Sequence, residues 1–418
     1  MKIIYFIILV PFFLFSSDTL VKEVNIIGNK KTKEHVILRE ILHPKEQVLD
    51  SILLKEDINR LYNLGIFSSV NIELVENVYE INVIESFSIL PDLVIDYSEI
   101  SKTKWSYGLG MAYINFMGLN QQLYLGGAFI GEKWFAISLK DPWVYGDHIS
   151  FETVLYNRFA DNPFYDYRYN ESYFLLESGF YNGLKNKFRF GLSYYKNKKH
   201  SITLPELLPL DEKEIYTYIS FEFDYQYDTR DVYNDPLEGI LFGVNTRFSK
   251  SLLKQNSDIS TLSLSFQKFL LLKFKYLHEP VLSYGIFSLF KFPKFSQLPI
   301  HEYEYLGGED FVLGYSSFPE DYPDKFNRNL EVSNILYNNL ELQSTILKKR
   351  DYGKIEFGLD GLLFINSGIG SKEIKHLSLN HLIVGYGFGF KFFITGPPPI
   401  TITFRYNPYG QEFIHFDN

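Results

Sequence analysis

The sequence predicts a membrane β-barrel of about sixteen antiparallel strands, preceded by one small α+β domain of βααββ order. Three observations carry this reading. The 418 residues include 39 Phe and 32 Tyr but only 3 Met and 3 Trp, at a mean hydropathy of -0.09. Aromatic enrichment without overall hydrophobicity is the composition of strands with one apolar face. From Ser88 onward apolar and polar residues alternate in long runs, and helix periodicity disappears. The one long apolar segment, 3–15, follows Lys2 and precedes Ser16 and Ser17. That is the pattern of a secretory signal, too short for the ~20 residues of a spanning helix. An exported chain that enters a membrane without such a helix does so as a closed barrel.

Charge and cysteine content narrow the function classes. Zero cysteines exclude disulfides, thiolate metal sites and lipoprotein processing, and a net charge of -9 with a pI near 5.6 offers no basic face to nucleic acid. The chain divides into a signal peptide, 1–17, a small domain, 20–86, and the barrel, 88–418. In the small domain, 21–27 alternates as a strand and stops at Gly28-Asn29, and Thr32 is placed to cap a helix running to about Leu42. A second helix starts at Asp50 or Ser51, repeats Leu54, Ile58 and Leu61 on one face, and ends at Gly65. Two alternating runs, 70–75 and 78–84, then form a hairpin.

Sixteen alternating runs make up the remainder, from 89–99 to 411–417. The run 213–228 is the clearest: Ile215, Ile219, Phe221, Phe223 and Tyr225 share one face, opposite Tyr216, Tyr218, Glu222, Asp224 and Asp228. A lipid-facing aromatic wall and a polar lumen have this pattern. Connections alternate between short turns and longer loops, as on the two rims of a barrel. The longest interruption, 293–330, is rich in aromatic and apolar residues. Gly307, Gly308 and Gly314 permit backbone conformations closed to other residues, so that Phe311, Val312 and Tyr315 can be buried at a packed tip. At the barrel's ends, Pro91 removes a ladder donor from the first strand and the last strand is short and follows Pro408. Few hydrogen bonds close that seam, whose other candidate residues are Val94, Asp96, Phe413, His415 and Phe416.

Catalytic signatures are absent. Gly385-x-Gly387-x-Gly389 lacks dinucleotide spacing and lies in an alternating run, and neither His278-Glu279 nor His301-Glu302 has the second histidine of a zincin helix. Asp224, Glu356 and Asp360 read as polar lining. The expectation is a protein with no catalytic residue, no metal and no cofactor.

Two resemblances add to this. Gly28, the turn Leu61-x-x-Leu64-Gly65-x-Phe67 and the terminal Glu85 make 20–86 resemble a POTRA repeat, a polypeptide-transport-associated domain whose free sheet edge would accept an extended client or partner. The whole mature chain resembles the BamA/TamA family of outer-membrane assembly factors. The carriers are Gly108-Leu-Gly110 with Asn115-Phe-Met-Gly118; Asp141-Pro142-Trp143; Asp228-Thr-Arg230-Asp231 with Pro236-x-x-Gly239; Gly307-Gly308 with Val312-Leu313-Gly314-Tyr315; and Gly396-Pro397 with Phe416. The resemblance implies a periplasmic POTRA, a lumen-folded loop and a seam that opens to assemble outer-membrane barrel proteins. Its partners would be unfolded outer-membrane or secreted polypeptides, periplasmic or accessory subunits held by the POTRA, and membrane lipid. The alternatives are a two-partner-secretion pore and a passive channel or structural barrel.

The chain departs from the family at the loop. Where the family carries an arginine stands Leu313; of its acidic lumen partners Glu341 is kept, but the second is Asn366. Removing one member of a buried ion pair costs about 3–5 kcal/mol, so losing cation and anion together is the consistent combination. The expected loop still enters the lumen, held by packing and neutral hydrogen bonds.

Overall fold

The computed structural model describes residues 20–97, 103, 105–146, 148–162, 165–202, 212–308, 310–315, 331–394, 399–409 and 412–417. The secretory signal expected at 1–17 and the turn 395–398 lie outside these residues.

The small domain follows the expected order: β1 (Glu23–Ile27), α1 (Glu34–Leu38), α2 (Ser51–Asn63), β2 (Phe67–Val75) and β3 (Val78–Glu85). β3 is central, parallel to β1 and antiparallel to β2. Val36, Ile37 and Leu61 from the helices bury against Ile72, Tyr79 and Ile81 of the sheet. Asp50 caps α2 by accepting from the N–H groups of Ile52 and Leu53 at 2.8 and 3.4 Å. Gly65, at φ 69°, turns the chain out of the helix.

α1 departs from the expectation. It covers only Glu34–Leu38, and its N-cap residue is Lys33, which makes no side-chain cap. Thr32 is engaged elsewhere: its hydroxyl donates to Glu85 Oε1 at 2.7 Å and accepts from Asn115 Nδ2 at 2.9 Å. A cap was thus exchanged for a link between the two domains.

The barrel begins with β4, broken into Ile89–Asp92 and Ile95–Tyr97, both paired with β5 (Trp105–Phe116). It continues through β6 (Gln121–Ile130), β7 (Lys133–Tyr145), β8 (Ile149–Asn162), β9 (Tyr167–Asn182), β10 (Asn186–His200), β11 (Ile215–Asp228) and β12 (Gly239–Ser251). The second half comprises β13 (Ile259–Leu271), β14 (Val281–Phe292), β15 (Asn334–Tyr352), β16 (Ile355–Ser371), β17 (Ile383–Ile394), β18 (Ile400–Tyr406) and β19 (Glu412–Asp417). Counting the two pieces of β4 as one strand, sixteen strands close into a barrel in which β19 neighbours β4. Among the described residues no helix is long and apolar enough to cross a membrane.

The alternation sorts as the pattern requires. On β11 Ile219 and Phe221 are exposed on the outer wall, whereas Tyr216, Tyr218, Ser220 and Asp228 are buried inside. β15 and β16 are long, running on to Tyr352 and Ser371. Two bulges carry β15 through Lys348-Lys349-Arg350. Gly368 and Gly370 extend β16 because loop side chains occupy the space beside them: a Cβ on Gly368 would lie 2.8 Å from Val312 Cγ2, and one on Gly370 2.9 Å from Val332 Cγ1.

Candidate functional site

The described part of the long loop, 293–308 and 310–315, lies inside the lumen. Its base stands on one wall. His301 packs beside the inward rings of Tyr195 and Tyr216, at centroid distances of 5.2 and 5.0 Å. Glu302 accepts from Arg247 Nη2 at 2.7 Å and from Lys291 Nζ at 3.0 Å, and Lys291 also reaches Glu304 at 2.6 Å. Burial alone would raise the Glu302 carboxyl; the Lys291 ammonium and Arg247 guanidinium outweigh it and hold the group well below the usual carboxylate range.

The tip packs further round the wall, against β14 to β18. It closes on itself through Gly308 N–H to Tyr315 O at 2.7 Å and Val312 N–H to Leu306 O at 2.9 Å. Gly308 and Gly314 have φ of 98° and 90°, and a Cβ on Gly314 would lie 2.5 Å from the Tyr406 carbonyl oxygen. Gly307 bridges to Val312. Leu306, Phe311, Val312 and Tyr315 bury with Val332, Ile335 and Ile383. Tyr315 Oη donates to Val384 O at 3.2 Å, and Asn407 Nδ2 donates to Gly314 O at 2.8 Å. At Gly385 a Cβ would overlap the Leu313 carbonyl oxygen and stand 2.9 Å from Asn366 Oδ1. The apolar residues of the tip are packed, whereas the base is held by ion pairs that alternation alone does not reveal. Asn366 lies opposite Asn339 in the ladder, buried, with neither amide atom hydrogen-bonded among the described residues. Glu341 stands two residues along β15, opposite Phe364 of β16.

The second constellation is the joint between the small domain and the barrel rim. Lys33 N–H donates to Gly118 O at 3.0 Å, and Glu85 holds this approach by accepting from Lys31 N–H at 2.8 Å. A side chain at Gly118 would overlap the Lys31 carbonyl. The Arg39 guanidinium lies 4.4 Å over the Trp143 ring, in a turn braced by Trp143 N–H to Asp141 Oδ1 at 2.9 Å. Asn63 donates to Asp231 O at 3.1 Å and accepts from Tyr233 N–H at 2.9 Å. Ser68 Oγ donates to Gly353 O at 2.9 Å, and Tyr62 Oη donates to Glu356. Four turns spread around the rim are engaged, so the small domain lies across this mouth.

The motif at Asp228 builds one of these turns. Arg230 Nε and Nη2 fork onto Asp228 Oδ1 and Oδ2 at 3.0 and 2.9 Å, and Asp231 Oδ1 accepts from Leu237 and Glu238 N–H at 3.0 and 3.2 Å. Gly239, at φ 122°, lets the backbone return: a Cβ there would lie 2.5 Å from Thr229 O.

The seam is short on both sides. Its two strands are 4 plus 3 residues (β4) and 6 residues (β19), whereas β9 has 16 and β15 has 19. Pro91 pairs with Met111, and the break in β4 falls at Leu93 and Val94, with Val94 buried and Asp96 exposed. In β19 Phe413 and His415 stand opposite Arg405 and Thr403 of β18, and Phe416 opposite Ile402.

Comparison with known proteins follows this architecture. The model of the Omp85 superfamily domain matches residues 115–395, more than half of the chain, and that of the POTRA repeat, described as a surface antigen variable number repeat, matches 19–86. The chain belongs to the Omp85 superfamily. No curated protein sequence matches it. Among solved structures it is similar to BamA from Haemophilus ducreyi lacking POTRA domains 1-3, at 14% identity and TM-score 0.59, covering 95% of this chain and 83% of that one. It is also similar to CdiB from Acinetobacter baumannii (12%, TM-score 0.56, 95% and 73% covered) and CdiB from Escherichia coli (13%, TM-score 0.58, 96% and 76% covered). Omp85 homologues are outer-membrane proteins with periplasmic POTRA domains.

Within this Omp85 barrel, Leu313 and Asn366 both lie beside Gly385, and whether they interact is open to a double-mutant test. Leu313→Arg alone is expected to destabilise the barrel by roughly 3–5 kcal/mol, because it buries a cation for which only Glu341 of the family's two acids is kept. Adding Asn366→Asp recovers part of the loss, with non-additivity of about 1 kcal/mol or more in chemical unfolding. Strictly additive losses would show that the two positions do not meet.

Proposed function

We propose that the chain is an outer-membrane assembly factor that handles unfolded polypeptide and inserts other β-barrel proteins through the β4–β19 seam. Its POTRA lies in the periplasm, and residues 1–17 direct export. The observation that carries this reading is the seam. The two strands that meet there are short, six residues in β19 and four plus three in the broken β4, against sixteen in β9, so the ladder between them is short. An edge that few hydrogen bonds hold can open and template an incoming strand. Supporting it, the loop lies inside the lumen and the POTRA lies across one mouth, so a route through the wall requires neither to leave. The protein acts by positioning, with no catalytic step of its own.

A translocation pore is the second reading, and Leu313 in place of the family's arginine favours it. A tip that lacks that arginine's ion pair is released at lower cost than one anchored by it. The two are separated in proteoliposomes holding the purified full chain, to which a urea-unfolded outer-membrane barrel is added. Assembly predicts faster folding, read by gel mobility, than in protein-free liposomes. Equal rates would overturn it.

A further inference from the structure

The chain is acidic overall, yet one sector of its POTRA-side rim is basic. The turn 272–280 between β13 and β14 reads Leu-Lys-Phe-Lys-Tyr-Leu-His-Glu-Pro, and the end of β15 with the next turn reads Leu347-Lys-Lys-Arg-Asp-Tyr-Gly-Lys354. Lys268, Lys273, Lys275, Lys348, Arg350 and Lys354 are all exposed. None of these six forms an ion pair among the described residues, whereas Lys349 between them turns away to Asp235 at 2.8 Å. The sequence sets only Glu279 and Asp351 against them. Other rim turns differ: 117–120 carries no charge, and 229–238 is acidic through Asp231, Asp235 and Glu238.

The two basic segments form one surface. His278 O accepts from Thr345 N–H and Ser344 Oγ, each at 3.0 Å, which stitches the turn to β15. The bulges in β15 place Leu347 and Arg350 opposite Leu359 and Phe357, on the outward side. Apolar and aromatic groups are interleaved with the cations: Phe274 is 56% exposed, Tyr276 88% and Tyr352 65%. Lys273 and Lys275 line a shallow concavity with Leu271, Phe274 and Leu277. Further up the wall, Leu270, Tyr284, Ile286 and Leu340 are exposed and apolar, so the patch continues the lipid-facing surface at the level where it ends.

We propose that this patch binds the headgroups of anionic phospholipids in the leaflet on the POTRA side. Lysine and arginine stems can lie along the apolar wall while their charges reach phosphate, and tyrosine suits the same boundary. An acidic protein partner would meet the cations, but not the exposed leucines and aromatics that run on into the membrane-facing wall. That continuity selects lipid. The inference is independent of what the seam does.

The test uses the full-length protein, released from detergent for native mass spectrometry after incubation with equal amounts of phosphatidylglycerol and phosphatidylcholine. Wild type is expected to retain phosphatidylglycerol in preference, less so as salt is raised before measurement. A juxtamembrane cation contributes about fivefold each, so K273Q/K275Q lowers the preference by an order of magnitude or more, and adding K348Q/R350Q removes it. Lys273 and Lys275 lie in an exposed turn, so the first variant folds, and K273R/K275R keeps the preference. Removing an exposed cation on the other rim, Lys250→Gln, leaves it unchanged. Equal retention of the two lipids by wild type, or an unaltered preference in the four-residue variant, would overturn the proposal. Binding of a poly-glutamate peptide without any preference for phosphatidylglycerol would also overturn it, in favour of an acidic protein partner.

Discussion

A Gly385→Ala barrel is expected to conduct ions in planar bilayers through long openings that the wild type does not show. The added Cβ would overlap the Leu313 carbonyl oxygen and stand 2.9 Å from Asn366 Oδ1, and the first of these obstacles is held in place. Leu313 cannot retreat alone, since Gly314 rests on the Tyr406 carbonyl and is held by Asn407, while Tyr315 is bonded to Val384. The whole tip must lift, and with it the burial of Val312 and Tyr315. Overpacking of this kind costs about 1–3 kcal/mol, and a loss of ~3 kcal/mol would raise the fraction of lifted loops more than ~100-fold. On the POTRA side a cavity lined by Arg39, Trp143, Tyr181, Lys187 and Tyr233 separates the small domain from the rim. Gly285→Ala is the control, because its nearest neighbour would stand at an ordinary 3.6 Å. A Gly385→Ala channel as silent as Gly285→Ala would mean that the tip does not close the lumen.

The barrel was legible because its signal is repeated. Each strand adds another alternation of period two, and an outer wall of Phe and Tyr cannot be confused with a helix face. The ends of strands were less so. Lys348-Lys349-Arg350 reads as a turn, but bulges allow a strand to continue through three cations when two face outward and one finds Asp235. Gly368, Gly370 and Gly385 weaken a strand locally, and only the loop lying against them gives them a reason. Thr32 has the chemistry of a cap, and nothing local reveals that Asn115, 83 residues away, takes its oxygen. The loop's ionic base was hidden for the same reason. Arg247 and Lys291 could be placed in the lumen by alternation, but the acid that meets them, Glu302, stood in a dipeptide considered only for metal chemistry. The turn motifs at Asn115–Gly118, Asp141–Trp143 and Asp228–Gly239 were visible as motifs, yet their shared use, fastening the POTRA to the rim, needed the third dimension.

Locking the seam tests where the proposed activity resides. Asp96 of β4 is exchanged for cysteine together with Phe413 or His415 of β19; Val94, buried at the break in β4, is the poorer site. Antiparallel neighbours bring Cα atoms to roughly 4.5–5.5 Å, inside the range a disulfide spans, and the native chain has no cysteine to interfere. Opening the native seam breaks a short ladder whose hydrogen bonds are each worth only about 0.5–1.5 kcal/mol net, whereas the disulfide must be reduced before the edges separate. Oxidised protein is therefore expected to remain a folded barrel and to lose acceleration of client folding in proteoliposomes, with activity returning on reduction. A lumen pore would tolerate the lock, because its route needs the loop and the POTRA to move and leaves β4 and β19 joined. Full activity in protein shown by gel shift to be cross-linked would sink the insertion mechanism and transfer the function to the lumen.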